Sequence, residues 1–291
     1  MSNSIELGSL ANSYRPKRAA FVGLIATATV LACIGIFCLW AISVVSSPDV
    51  HFSGLGPFKN PATLLGLIGG GILLIALFLV WVAFKFQNIK YSFWLYENGI
   101  VKKEKGKEDI SLLFSEIEDV LIFAVGGSMA AMLDPEHYGL AYRKSSSGEW
   151  SYITPQIHNS AELLGIFREL HTEQRGKALW NLIEEGRRVS FNFVEKKRLL
   201  KNNFLAISVS DITKIDKHFK PLFLSIDSIT IDAQTFKLEK TDSVKIGDWT
   251  DNIYLLDENG NEKMALPYSS VASADIFTAI LAAILKQEKR V

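Results

Sequence analysis

Two long stretches of the chain carry no charge. Ala19 to Pro48 contains no Asp, Glu, Lys or Arg, and after Asp49 and Lys59 the run from Asn60 to Phe84 is uncharged again. Within them lie AFVGLIATATVLACIGIFCLWAISVV and ATLLGLIGGGILLIALFLVWVAF, each longer than the ~20 apolar residues that carry a helix across a bilayer core. The pattern predicts a transmembrane hairpin over residues 19–86, with helices at about 19–45 and 62–85. The first run is too long for a signal-peptide core and a second span follows at once, so it is read as retained.

The remainder alternates differently. Phe191/Phe193, Phe204/Ala206 and Ile229/Ile231 repeat at the two-residue spacing of strands. Asn98-Gly99, Gly106, Ser147-Gly148 and Asn259-Gly260 supply turn chemistry, since Gly and Asn accept positive φ. Helical patterns follow Ser160 and Ser273, read as N-caps with Glu162 and Asp275 in the first turn. Leu163, Phe167 and Leu170 form one apolar stripe, and Ile276, Ile280, Ala283 and Ile284 form another. A further helical stretch reaches Gly186.

Landmarks recur in order along this part. Phe93–Ile100 corresponds to Phe204–Ile212, Ser115–Ile122 to Leu224–Ile231, Gly148 with Pro155 to Gly260 with Pro267, and Ser160–Leu163 to Ser273–Ile276. Such near-constant offsets predict a tandem pair of similar domains. The boundaries are a segment 1–18, the hairpin 19–86, a first domain 87–175, a helical linker 176–186 and a second domain 187–291.

Strands followed by one C-terminal helix resemble the pleckstrin-homology (PH)-like layout, a bent antiparallel sheet capped by a helix. The chain as a whole resembles uncharacterised bacterial two-pass membrane proteins with PH-like cytosolic domains. The resemblance rests on Leu7-Gly8 and Tyr14-Arg15-Pro16 before the first span, Leu95-Tyr96-Glu97-Asn98-Gly99-Ile100 after the second, and Ser115-Glu116-Ile117-Glu118-Asp119-Val120. It implies an α+β fold, a transmembrane hairpin followed by two tandem PH-like domains, and it brings no established activity.

Charge refines the layout. The 291 residues hold 31 Lys+Arg against 31 Asp+Glu, and 48% are hydrophobic, which excludes a disordered chain and argues against a histone-like nucleic-acid binder. Residues 85–107 hold six lysines and two glutamates, while Arg15, Lys17 and Arg18 precede the first span. The positive-inside rule then places both termini in the cytoplasm, of a bacterial inner membrane on the resemblance, with Trp40 and Trp81 toward opposite interfaces. Lys102, Lys103, Lys105 and Lys107 lie in a hairpin. In lipid-binding PH domains the first hairpin grips headgroups, so these four are candidate contacts to an anionic leaflet, with Lys214, Lys217, His218 and Lys220 as counterparts in the second domain. The alternative is a solvated, edge-protecting turn.

Other chemistry is sparse. Gly66 and Gly70 form a GxxxG that could pack the two spans, opposite Ala28 and Ala32, or form a homodimer. Cys33 and Cys38 are five apart in one helix and cannot pair with each other. No P-loop, GxSxG or HExxH occurs. Asp134-Pro-Glu-His137 is the one dense polar cluster near acid/base chemistry, and reads first as a loop tip. The expectation is a non-enzymatic, membrane-anchored interaction or regulatory module without metal or cofactor, with an unidentified protein partner and no nucleic acid. The alternatives are an anionic-lipid sensor and, third, a membrane enzyme.

Overall fold

The computed structural model describes residues 4–17, 19–45, 61–86, 91–124, 138–194, 216–247 and 252–287. It is an α+β protein of two compact units: Pro16–Lys90, and a sheet unit built from Met1–Arg15 together with Tyr91–Val291. A helical turn α1 (Ser4–Leu7) and strand β1 (Leu10–Tyr14) precede the long helices α2 (Ala19–Val45) and α3 (Pro61–Phe86).

The two helices pack on a seven-residue rhythm. Their buried positions are Ala28 and Gly35 in α2, and Gly69, Ala76 and Ala83 in α3. A seven-residue repeat is two turns at 3.5 residues per turn, the spacing that keeps one seam facing a neighbouring helix, and small residues let the backbones close up. A Cβ built on Gly69 would lie 3.0 Å from the Gly35 carbonyl oxygen, and one on Gly35 would lie 3.0 Å from that of Gly69. Of Gly66 and Gly70, expected to pack the spans, Gly66 lies against α2. A Cβ on Gly66 makes an ordinary 3.7 Å contact with Ile42, and one on Gly70 meets nothing within 4 Å among the described residues. Cys33 and Cys38 are both free thiols.

The sheet unit begins with β1, which pairs antiparallel with β2 (Tyr91–Tyr96); β3 (Gly99–Glu104) and β4 (Ile110–Leu113) complete a four-stranded meander. A 3-10 turn leads to β5 (Asp119–Ala124), β6 (Tyr138–Arg143) and β7 (Ser151–Ile153), a three-stranded antiparallel sheet, and then to helix α4 (Ser160–Glu184). The second half has the same order. Strands β8 (Val189–Phe193), β9 (Lys220–Leu224), β10 (Ser228–Ile231) and β11 (Gln234–Lys237) form four, β12 (Ser243–Ile246), β13 (Asn252–Leu256) and β14 (Glu262–Pro267) form three, and α5 (Ala274–Gln287) follows.

Alternation builds these sheets as elementary pleating requires. In β2, Phe93 and Leu95 are fully buried while Ser92, Trp94 and Tyr96 stay partly exposed. Each helix plugs its half with an edge-to-face aromatic pair, Phe114 with Phe167 at 5.3 Å and Phe191 with Phe277 at 5.5 Å.

Several expected boundaries move. Residues 4–15 are not a separate segment, because β1 is a strand of the first sheet. The helical linker expected at 176–186 is the end of α4, whose Leu179 and Ile183 enter the core of the second half. Of the four landmark pairs, Phe204–Ile212 lies outside the described residues. Ser115–Ile122 covers a 3-10 turn and β5, whereas Leu224–Ile231 spans the end of β9 and β10, so that pair joins strands of different rank. Two-residue alternation is common to every half-buried strand and cannot tell one from the next. The Gly148/Gly260 and Ser160/Ser273 pairs fall at matching places, the β6–β7 and β13–β14 turns and the two helix starts.

Candidate functional site

The lysine hairpin joins β3 to β4, the third and fourth strands of the first sheet rather than its opening pair. Register fixes which end of the sheet it occupies. Tyr91, the first residue of β2, pairs with Glu104, and Tyr14, the last residue of β1, pairs with Phe93. The turn therefore lies at the sheet end from which the chain departs toward both long helices.

Three of its four lysines already have partners. Lys103 Nζ sits 4.1 Å from the centroid of the Trp94 ring and 3.5 Å from Asp109. Lys102 lies half-buried at 5.2 Å from the Tyr91 ring, and burial lowers its pKa from the ordinary lysine value against the pull of Glu104. Lys107 pairs with Glu104 at 2.9 Å, and Lys105 is exposed on the turn. In the second half Lys214 lies outside the described residues. Lys217 and His218 sit in a 3-10 turn before β9, and Lys220 pairs with Asp232 at 3.0 Å. These residues do not occupy the equivalent hairpin, which is the β10–β11 turn. The Asp134–His137 cluster also lies outside the described residues, and no group of three or more His, Cys, Asp or Glu able to hold a metal occurs among the described ones.

Polar seams that sequence reasoning missed tie the sheet unit together. Asp119 opens β5 and Arg143 closes β6 directly opposite. Arg143 Nε donates to Asp119 Oδ2 at 2.7 Å, and its Nη2 lies 2.6 Å from the same oxygen, with both residues buried. Asn192 of β8 donates to both carboxylate oxygens at 2.9 Å, and the guanidinium lies 4.4 Å from the Trp150 ring centroid. A charged residue at each end of an otherwise apolar strand pair was the available signal.

Beside it, Ser270 and Ala272 bond to β8 and the residue after it, and Ser273 joins the second half to the first. Val194 N–H donates to the Ser270 carbonyl at 2.9 Å and Ala272 N–H to that of Asn192 at 2.8 Å. Ser273 then crosses to β5. Its N–H donates to the Val120 carbonyl at 2.7 Å, its Oγ accepts from Val120 N–H at 3.2 Å and donates to the Glu118 carbonyl at 3.0 Å. Ser273 holds φ at 56° and spends its hydroxyl on the other half, not on capping α5. Ser160 is likewise not the cap of α4. Asn159, at φ 54°, takes that position, and Ser160 Oγ is buried with no hydrogen-bond partner among the described residues.

Helix α4 carries further anchors. The ring of buried His171 lies 3.0 Å through Nε2 from the Ile117 carbonyl, and burial lowers its pKa to about 4, with nearby Arg175 adding to the fall. Arg175 donates to the Ser115 carbonyl at 3.0 Å and Gln174 to that of Glu97 at 2.7 Å. Arg168 grips Asp275 of α5 with Nε at 2.8 Å and Nη2 at 2.6 Å, while Tyr268 also donates to Asp275. Next to this pair an open recess of about 530 Å³ is lined by Gly165, Arg168, Glu169, Thr172, Glu173 and Asp275. Its two strongest binding groups are consumed by each other, so it offers little chemistry to a ligand.

No protein-family model matches the chain, and no curated protein is significantly similar to it.

Proposed function

We propose that the protein is a two-pass membrane protein that presents tandem PH-like domains to the cytoplasm as a non-catalytic interaction or regulatory module. The observation that carries this reading is the pairing of β1 with β2. Those strands flank the two apolar helices in sequence, and neighbours in one sheet must lie on one side of any membrane the helices cross. The basic residues on both flanks make that side the cytoplasmic one by the positive-inside rule, in a bacterial inner membrane. The repeated order of four strands, three strands and a helix supports the PH-like reading of each half.

A second reading, an anionic-lipid sensor, is favoured by the register that puts Lys102–Lys107 at the sheet end where β1 finishes and β2 begins. Against it stand the partners these lysines already hold. A leaflet contact would gain at most ~1 kcal/mol per basic residue, reduced by salt.

The test is affinity purification of the full chain from detergent-solubilised membranes, for wild type and a Lys102/Lys103/Lys105/Lys107→Glu variant. The interaction reading expects a stoichiometric protein partner retained by both. Loss of partners together with loss of binding to phosphatidylglycerol vesicles, only in the variant, would favour the lipid reading instead. Neither a partner nor vesicle binding in wild type would remove both.

A further inference from the structure

We infer that the β2–β3 turn is a peptide-docking cradle that reads a Leu-Gly-Ser segment. The chain's own Leu7-Gly8-Ser9 fills it and exchanges with a partner protein's segment of the same chemistry, a use that rests on the interaction reading. Each position of the segment meets its own feature of the turn. Leu7 is buried over Gly99, where a Cβ would stand 2.6 Å from the leucine Cδ2. Gly8 holds φ at 79° against the Glu97 side chain, and a Cβ there would lie 2.8 Å from Glu97 Oε2. Ser9 donates its N–H to Glu97 Oε2 at 3.2 Å and its hydroxyl to Oε1 at 2.5 Å, bonds that lower the Glu97 pKa from its ordinary value. Asn98 takes the carbonyls, its Nδ2 donating to Glu6 at 3.2 Å and its N–H to Leu7 at 3.0 Å.

The cradle is held without its occupant. Gln174 of α4 donates to the Glu97 carbonyl at 2.7 Å, and Phe114 N–H to that of Asn98 at 2.9 Å. Leu95 pairs with Ile100 across the turn, and Gly99 with Leu113 of β4. The occupant is held more lightly. From Glu6 to Ser9 only Leu7 is buried, and the bonds from Ser9 to Glu97 are exposed to solvent. A receptor ordered by its own sheet and helix is pre-organised for whichever segment fills it.

The matching turn of the second half, between β9 and β10, spends its polar groups on itself. Ser225 Oγ and Ser228 Oγ donate to Asp227 Oδ1 at 2.7 and 3.0 Å, and Ser225 N–H donates to the Ser228 carbonyl. Leu224 pairs with Ile229 as Leu95 does with Ile100, so Ser228 stands where the first half has Gly99. A side chain at that place removes the hole for a leucine. The frame is otherwise shared, since the Asp227 carbonyl accepts from Leu238 N–H as that of Asn98 does from Phe114. The carboxylate, the amide and the glycine that read the segment are particular to the first half, and are no demand of the fold.

The experiment is fluorescence anisotropy with a labelled peptide of residues 4–9 added to the full chain in detergent. Leu7→Asp sets a charge over Gly99 and should free the cradle. That variant should bind the peptide at least tenfold more tightly than wild type, whose own tethered segment competes at high effective concentration. A peptide carrying Gly8→Ala should bind at least tenfold more weakly, and so should the intact peptide once Glu97→Ala is added to Leu7→Asp. Hydrogen exchange is the control, with the amides of β2 and β3 as protected in Leu7→Asp as in wild type. No saturable binding to Leu7→Asp with those strands protected would overturn the cradle, as would equal binding of the Gly8→Ala peptide. Loss of that protection would make residues 7–9 part of the sheet's own core and would overturn it too. Failure of the interaction reading shows separately, as the absence of a partner in the purification, because the peptide assay uses none.

Discussion

The two halves of the sheet unit share an order of elements and differ in how their helices are held. Helix α5 buries an unbroken apolar face of Ile276, Phe277, Ile280, Leu281, Ile284 and Leu285. Helix α4 buries Leu163 and Phe167 in the first half, then His171, and then Leu179 and Ile183 in the second. Where α5 adds to its apolar face a carboxylate, Asp275, bonded to Arg168 and Tyr268, α4 is pinned by polar side chains to main-chain carbonyls at Ile117, Ser115 and Glu97. The difference follows from reach. Helix α5 serves one core, and α4 crosses from one core to the next, so directional bonds must set its register. Both first sheets are also interrupted after their first strand, by residues 15–90 in one half and by 194–219 in the other. A first strand in this arrangement can sit far in sequence from the sheet it completes.

If the halves are one cooperative body, the sharpest way to separate them is at the Asp119–Arg143–Asn192 seam. Asp119→Ala leaves Arg143 buried beside Trp150 without its carboxylate, and removing one member of a buried pair costs about 3–5 kcal/mol. Denaturant unfolding of the detergent-solubilised chain should shift by that amount in a single transition that involves both halves. Two separate transitions in the wild type would break the picture of one body. The same seam means that deleting residues 187–291 would expose the apolar cluster of Leu121, Phe123 and Trp150, so point variants are the sounder probe of partner binding.

A smaller effect separates the helices by pH. His171 has a folded pKa near 4 against an ordinary value near 6.5, with burial the main cause. Above pH 6.5 neither state binds the proton and nothing is lost. As pH falls from 6.5 toward 4 the unfolded chain binds it and the folded one does not, so stability declines by up to about 3 kcal/mol. His171→Gln retains a donor toward the Ile117 carbonyl but cannot titrate, and its unfolding midpoint should fall less steeply between pH 7 and pH 4.5. Identical slopes for the two proteins would show that His171 takes up its proton in the folded state as readily as in the unfolded one.

How far the sequence spoke depended on the kind of signal. The long apolar helices and the turns at Gly106, Gly148 and Gly260 were legible, because uncharged length and glycine chemistry are local properties. The place of β1 was not. Ala11 to Tyr14 fell within the segment 1–18 with no strand read there, because its partner lies beyond the hairpin. The resemblance motifs Leu7-Gly8 and Glu97-Asn98-Gly99 were visible as separate words, but only folding shows that they touch, with Leu7 packed over Gly99. The GxxxG was legible, but its spacing did not single out Gly69, whose backbone comes nearest to Gly35 of the other helix. The lysine hairpin was found, and its cation–π and ionic partners were not, because cross-strand neighbours depend on register.

The last prediction sets the two helix starts against each other. Ser160 and Ser273 look interchangeable in sequence, each opening a helical pattern with an acid two residues on. In the structure Ser273 Oγ makes two bonds to β5, and its loss would leave the Val120 N–H and the Glu118 carbonyl short of a partner. An unsatisfied buried group costs about 1–3 kcal/mol, so Ser273→Ala should lower stability by roughly 1–2 kcal/mol. Among the described residues Ser160 Oγ has no partner to lose. Removing a buried, unbonded hydroxyl and substituting the best helix former should leave stability unchanged or raise it by a few tenths of a kcal/mol. The signs therefore differ for one chemical change at two matched positions. Equal losses at both would mean that Ser160 caps its helix after all. Equal gains would mean that the bridge from Ser273 to β5 contributes nothing to holding the halves together.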